Sequence, residues 1–313
     1  MDHDGGDFEV VVVDDGSGDH TSRVVRSVGD ERVRFFQQEN RGVAAARNLG
    51  VRESQGDLII FIDDDIVVEP SFLRDHVETH RRFESALVNG RWDFEPALRQ
   101  ALEATSFGRF RLEVEEWVKE GISKRPLGDG FLEPEAVTAC NLSLSRAAFD
   151  GIGGFSEDFP FAGAEDQEFS VRASRAGLRF VYNPGLRVWH NDHRVTLEQF
   201  CERQRRGAVT SVLLARKHPE QYADRPLMRE NGPVNAADRP MLRVRKAIKW
   251  VLSRPPILAA IVRSLRVLAG LGFPGRLLRR GYWMACGLYI FAGIGEGLAR
   301  FGPLPRTGSD RNA

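Results

Sequence analysis

The chain is poor in cysteine, methionine and tyrosine, with three, four and four in 313 residues. Its cysteines, Cys140, Cys201 and Cys286, are odd in number and far apart. That excludes a disulfide framework, shows no metal-ligand spacing and fits a reducing compartment. Net charge is missing too: 44 Lys and Arg balance 44 Asp and Glu. A strongly basic nucleic-acid binder is therefore not expected. The first residues, MDHDGGD, are acidic and glycine-rich, not the basic-then-apolar start of a secretory signal. In the last third, the uncharged run 281–295 is 15 residues long, short of the roughly 17–25 that a spanning helix uses. There is no internal repeat and no low-complexity tract. What is present is 42% hydrophobic and 28% charged residues, enough for one large domain or two modest ones.

The balanced charge hides an asymmetry. Residues 239–306 hold thirteen Lys and Arg and one acid, Glu296, so the rest of the chain is correspondingly acidic. A basic, apolar tail finds its simplest counterpart in an anionic membrane surface.

Short β-branched runs punctuate the first third. Residues 8–13 (FEVVVV), 33–36 and 58–62 (LIIFI) read as buried strands, and 42–53 as a helix between two of them. Strands alternating with helices imply an α/β fold, with a mixed, mostly parallel sheet flanked by helices. Further on, 86–92, 137–143, 178–182 and 185–189 read as strands, and 107–119, 164–176 and 196–217 as helices. Pro219, Pro226, Pro233 and Pro240 mark 218–240 as a linker. The expected organisation is 1–90, 91–217, the linker 218–240, a helical segment 241–305 and a tail 306–313.

Two acidic clusters fall at predicted strand ends, Asp14-Asp15 and Asp63-Asp64-Asp65. Ligands of open parallel sheets sit beyond such ends. Adjacent carboxylates repel, and a hard divalent cation bridging to a phosphate neutralises them. A solvated acidic turn is the alternative reading.

The surrounding pattern resembles glycosyltransferase family 2, with its GT-A fold. The residues that carry this are 12–17 (VVDDGS), 40–42 (NRG), 46–50 (ARNLG), 61–65 (FIDDD), 141–143 (NLS), 153–155 (GGF), 163–166 (GAED) and 188–190 (VWH). All occur in the family's order, over about residues 8–215. The resemblance implies that Asp15, with Asp14 as partner, contacts the nucleotide base or ribose, and that Arg47 meets the uracil or the diphosphate. It implies Asp63 at the ribose and Asp65 on a Mn²⁺ or Mg²⁺ ion, with His190 completing the metal site near His193. Asp166 becomes the general base that takes the acceptor hydroxyl's proton. Glu165 and Arg206 become acceptor or phosphate contacts. Each has a plainer alternative: Asp14 or Asp15 as a helix cap, Arg47 as a surface arginine paired with Glu39 or Glu53, Asp166 as an acidic helix start, His190 as a structural histidine, and Arg206 as part of a solvated helix face.

Two departures matter. The family opens with a strand, a turn and a helix before the DDGS strand, whereas seven residues precede Phe8 here. An upstream start, or another segment in that place, is the expectation. The Gln-x-x-Arg-Trp motif of processive members is also missing, which implies addition of a single sugar.

In the basic tail, Met241, Val244, Ile248, Val251 and Leu252 share one helical face. Tyr282, Trp283 and Tyr289 with Arg279 and Arg280 suit an interfacial or re-entrant segment, with a helical cap, a dimer interface or one span as alternatives. The resulting expectation is an inverting, metal-dependent transferase, peripheral at the cytoplasmic membrane face. It moves a sugar from a nucleotide diphosphate donor, UDP-linked, to a lipid-linked or polysaccharide acceptor. A non-catalytic nucleotide-binding relative, or a truncated inactive transferase, is the alternative.

Overall fold

The computed structural model describes residues 7–121, 124–192, 196–235 and 238–305. His193 and the 306–313 tail lie outside the described residues. The chain divides into two compact units. One takes the residues up to Pro96 with Val118–Asp192, and the other takes Ala97–Trp117 with the chain beyond Asp192. The elements are β1 (Val10–Asp14), α1 (Thr21–Arg26), β2 (Val33–Gln37), α2 (Val43–Glu53), β3 (Leu58–Ile62), β4 (Ile66–Val68), α3 (Phe72–Arg82), β5 (Ala86–Phe94), α4 (Pro96–Glu103) and α5 (Ser106–Gly121). There follow β6 (Lys124–Gly128), β7 (Phe131–Pro134), β8 (Asn141–Ser145), α6 (Arg146–Ile152), α7 (Glu165–Arg175), β9 (Arg179–His190), α8 (Leu197–Lys217), α9 (Pro219–Tyr222), α10 (Pro226–Asn231), α11 (Pro240–Leu252), α12 (Pro255–Gly270) and α13 (Gly275–Phe301).

In the first unit β1 and β2 pair in parallel, from Val10 opposite Val33 to Asp14 opposite Gln37. A second sheet has the order β3-β8-β5-β9-β7-β6, with β4 on β9. It is mixed, as expected, but among the described residues antiparallel pairings outnumber parallel ones, and in this sheet β5–β9 is the parallel pair. The early strand–helix alternation does not continue. The β6–β7 hairpin, turning at Asp129 and Gly130 with positive φ, reverses the chain, and β8 then runs against both β3 and β5. Residues 178–182 and 185–189, expected as two strands, form one. The Asn183-Pro184-Gly185 break survives as a bulge, where the β5 register jumps from Gly90 opposite Asn183 to Arg91 opposite Arg187. Ile59, Phe61, Leu87, Leu142 and Leu144 pack with Phe149, Phe155 and Phe169 to form the core.

The second unit is helical. Thr196 starts α8 with a capping box shared with Gln199, and α13 lies along α8. A Cβ on Gly293 would meet the Arg205 carbonyl at 2.2 Å, so glycine sets this close approach. Tyr282 is buried, and its hydroxyl lies 3.0 Å from Ser106 Oγ. The stretch expected at a membrane interface is therefore partly an internal packing face. Cys201 and Cys286, both buried and free, bring their sulfurs to 3.7 Å, a meeting that linear spacing does not reveal. The proline-marked 218–240 stretch carries α9 and α10, because Pro219 and Pro226 stand in first turns, where the missing N–H has no helical partner to lose.

Helix α11 is inside out. Lys246 is buried and donates to Asp238 Oδ2 at 2.8 Å and to the Pro233 carbonyl at 3.0 Å. Met241, Val244, Ile248 and Val251 face solvent, each at least half exposed. Among the described residues no helix is long and apolar enough to cross a membrane.

Candidate active site

All sequence-predicted site residues except Arg206 lie in the first unit. Asp14 ends β1, and its carboxylate is occupied by the loop that follows. Oδ1 accepts from Ser17 N at 2.8 Å and Oδ2 from Gln37 Nε2 at 2.9 Å. The Ser17 bonds hold its pKa below the usual range. Asp15 accepts from Gln38 Nε2 (2.7 Å), Arg41 N (2.8 Å) and Gly42 N (2.8 Å). The last is the N-cap of α2, so Asp15 fastens the DDGS loop to the start of that helix. The two glutamines are partners that sequence reasoning missed.

Arg47, on α2, is held from two sides. Its Nη2 donates to Asp63 Oδ1 at 3.0 Å and its Nη1 to Glu165 Oε1 at 2.9 Å, and its guanidinium lies 5.4 Å from the Phe155 ring centre. Neither Glu39 nor Glu53 is its partner in these bonds. The flanking acids raise its pKa against the opposing effect of burial. Glu165 is buried, and its other oxygen accepts from Gly163 N at 2.7 Å. Both oxygens are thus engaged within the protein. Asn48 ties the same helix to the Gly-Gly-Phe turn, accepting from Phe155 N and donating to the Phe155 carbonyl, both at 2.9 Å. The dispersed motifs 46–50, 153–155 and 163–166 thereby form one constellation.

Asp166 opens α7 beside Glu165. Burial first, and the Glu165 charge second, raise its carboxyl to about 7, against the opposing pull of Arg47. A carboxyl poised near neutrality is what a general base needs. The chain bond that fixes it is Gln167 N to Asp166 Oδ1, 2.9 Å.

Asp65 and His190 meet through the sheet. The β4–β9 pairing sets Ile66 opposite His190, Asn191 N donates to the Asp65 carbonyl at 2.8 Å, and His190 Nε2 stands 3.1 Å from Asp65 Oδ2. Carboxylate plus imidazole is a donor pair that suits Mn²⁺. Among the described residues no three His, Cys, Asp or Glu side chains gather as a ligand set. Asp64 is exposed. Arg206 belongs to the second unit, where it is mostly exposed and pairs with Glu202 at 3.3 Å.

Sequence reasoning also missed a buried network behind the site. His76 Nδ1 lies 2.8 Å from Ser143 Oγ and Nε2 3.0 Å from Asn141 Oδ1, and His80 reaches the same serine at 2.8 Å. Burial drives the His76 pKa down to about 4, so it is a neutral tether of α3 to β8. Cys140, in the field of Asp63 and Asp166, is pushed up to about 12, chiefly by burial, and is inert.

The comparisons with known proteins bear on the family and the fold. The family model described as glycosyl transferase family 2 matches residues 2–122, and one described as the N-terminal domain of galactosyltransferase matches 132–194. A validoxylamine A glucosyltransferase of Streptomyces hygroscopicus is 30% identical over 241 residues, covering 68% of this chain and 54% of that protein. A glucosyl-dolichyl phosphate glucuronosyltransferase of Haloferax volcanii is 27% identical over 191 residues, covering 58% of this chain and 59% of that protein. The chain spans about half the length of the curated relatives it matches. Among solved structures, the mannosyltransferase PcManGT from Pyrobaculum calidifontis, in complex with GDP-Man and Mn²⁺, superposes with a TM-score of 0.52. It is 19% identical and covers 93% of this chain and 77% of that one, which speaks to the fold alone. The ordered motifs, the GT-A architecture and these matches make the chain a member of glycosyltransferase family 2.

Proposed function

We propose that this chain transfers a single sugar, with inversion, from a nucleotide diphosphate sugar, UDP-linked, to the hydroxyl of a lipid-linked or polysaccharide acceptor. The observation that carries the reading is the Asp63–Arg47–Glu165 bridge with Asp166 beside it, its carboxyl raised to about 7.

The loop held by Asp14 and Asp15 presents its backbone to the nucleotide base, and Asp63 faces the ribose. Arg47, drawn between Asp63 and Glu165, keeps these carboxylates from repelling one another as the donor enters. Asp166, ionised, accepts the proton of the acceptor hydroxyl. The acceptor oxygen forms its bond to the anomeric carbon while the bond from that carbon to the diphosphate oxygen breaks, and the electron pair leaves with the diphosphate. One in-line displacement inverts the centre. Asp65 and His190 would hold a divalent ion, which when bound neutralises charge on the departing diphosphate. The exposed apolar face of α11, flanked by Arg243 and Arg245, supports docking on an anionic membrane face, where a lipid-linked acceptor is presented.

Calorimetric titration with UDP, with and without Mn²⁺, tests the donor site, beside an Asp65→Asn control. Metal-dependent binding that the substitution weakens is expected. No binding by the folded chain sinks the reading. Asp166→Asn then separates a transferase from a binding module. Transfer of sugar should fall by about 10²–10⁴-fold while UDP affinity is unchanged. A binding module has no transfer to lose.

A further inference from the structure

The first unit holds a cleft that the proposed mechanism does not use. Its walls are Asn89, Gly90 and Trp92 of β5, Lys119, Lys124, Pro134, Ala136, Thr138 and Tyr182 of β9, and its interior, about 40 Å³, has room for a small group such as an oxyanion rather than a whole sugar. The cleft adjoins the transfer site on two sides. Trp92 packs edge-on against His190, with ring centres 5.5 Å apart, and His190 is the partner of Asp65. On the other side Ala136 and Thr138 line the cleft, while Val137 between them donates its N–H to Ser170 Oγ at 3.1 Å. That hydroxyl donates in turn to the Asp166 carbonyl at 2.7 Å.

The cleft is rich in cations. Lys119 Nζ lies 4.2 Å from the Trp92 ring centre, and Lys124 Nζ 4.2 Å from that of Tyr182. Asp93 is approached by Arg91 (2.6 Å), Lys119 (3.4 Å) and Arg187 (3.5 Å). The Lys124 ammonium pairs with no carboxylate among the described residues and donates, at a long 3.5 Å, to the Lys119 carbonyl. Burial, Lys119 and Arg91 all disfavour its charge. Lys124 therefore brings to the cleft wall an ammonium with no carboxylate beside it among the described residues. The Asn89 amide is held by the Thr138 and Asn141 carbonyls (2.9 and 2.6 Å), which fixes the cleft floor.

We propose that this cleft binds the oxyanion, phosphate or carboxylate, of an anionic sugar substrate through Lys124 and Lys119. The proposal rests on the transferase reading and names a substrate class for it. An ammonium resting on an aromatic face, without a carboxylate, gains most from a charged acceptor in a half-buried site. The cleft is linked to Asp65 through Trp92 and His190, and to the start of α7 at Asp166 through Val137 and Ser170. The anion belongs either to the acceptor or to the sugar of the donor.

The test is calorimetry on the full chain with glucose, glucuronate and glucose 1-phosphate, in the presence of UDP and Mn²⁺, and separately with UDP-glucose against UDP-glucuronate. At least one anionic sugar should bind roughly tenfold or more tightly than its neutral counterpart. Lys124→Met should remove that advantage, and Lys124→Arg should retain most of it. Unfolding midpoints of both variants establish that they are folded. An advantage seen with the free sugars assigns the anion to the acceptor, and one seen only with UDP-glucuronate assigns it to the donor. Equal binding of neutral and anionic sugars in both series overturns the proposal, as does an advantage indifferent to Lys124→Met. UDP binding that is lost while Lys124-dependent sugar binding persists overturns the transferase reading and leaves the cleft standing. Intact UDP binding with no anion preference does the reverse.

Discussion

Asp166 pays for its readiness in stability. Its carboxyl is raised from 3.8 to about 7 in the folded chain, so between those values the folded state holds a proton that the unfolded state has released. Stability from this residue therefore falls as pH rises through about 4 to 7. Asp166→Asn should stabilise the protein above pH 7, on the order of 2 kcal/mol, and flatten the pH dependence of the unfolding midpoint over that window. Urea titrations at pH 5 and pH 8 check this. A variant less stable than the parent at pH 8 would show that Arg47 relies on Asp166 as well as on Asp63 and Glu165. At this scale the sequence motifs were informative about which carboxylates matter and silent about their partners. Asp63 and Asp166 stood out as members of acidic clusters. Nothing in the sequence near Arg47 indicated Glu165, 118 positions away, because the contact depends on where α7 begins relative to α2.

Among the elements, β5 pairs with both β8 and β9, the strands that carry Asn141 and His190. Gly90 sits beside the bulge in β9. A Cβ there would meet Asn141 Nδ2 at 2.1 Å and the Leu186 carbonyl at 2.4 Å. Asn141 is also the partner of the buried His76 and donates to the Leu186 carbonyl at 2.9 Å, so no slack is available. Gly90→Ala should cost about 2–3 kcal/mol, read as a lowered urea midpoint. A near-neutral result would mean that Asn141 moves aside freely. His76 adds an acid sensitivity. Its pKa is near 4 when folded against 6.5 when exposed, so its contribution is complete above 6.5 and is lost as pH falls toward 4. The N-terminal elements were legible because buried strands and short helices alternate there in plain apolar runs. The middle was not, since antiparallel pairing and the bulge in β9 arise from the β6–β7 reversal and from backbone fit at Gly90, which leave no periodic trace.

For the whole molecule, charge and apolar surface make one argument. The sequence shows that residues 239–306 are strongly basic and that Met241, Val244, Ile248 and Val251 share a helical face. Periodicity says that such residues stand together, not which way they point. The buried Lys246–Asp238 pair decides it, because α11 turns that pair inward and the apolar stripe outward. A stripe with Arg243 and Arg245 beside it suits a surface that offers both hydrocarbon and negative charge. The full chain should therefore sediment with phosphatidylglycerol vesicles at low salt and much less with phosphatidylcholine vesicles. Raising salt toward 1 M shortens the screening length to about 3 Å and should release most of it. Ile248→Asp with Val251→Asp should abolish vesicle binding while leaving the unfolding midpoint close to the parent's, since both side chains are at least half exposed. UDP affinity, which belongs to the other unit, should be unchanged in that variant. Vesicle binding that survives the double substitution would move the docking surface elsewhere in the basic segment. No sedimentation with anionic vesicles at low salt would end the membrane reading and leave α11 as a contact surface for protein.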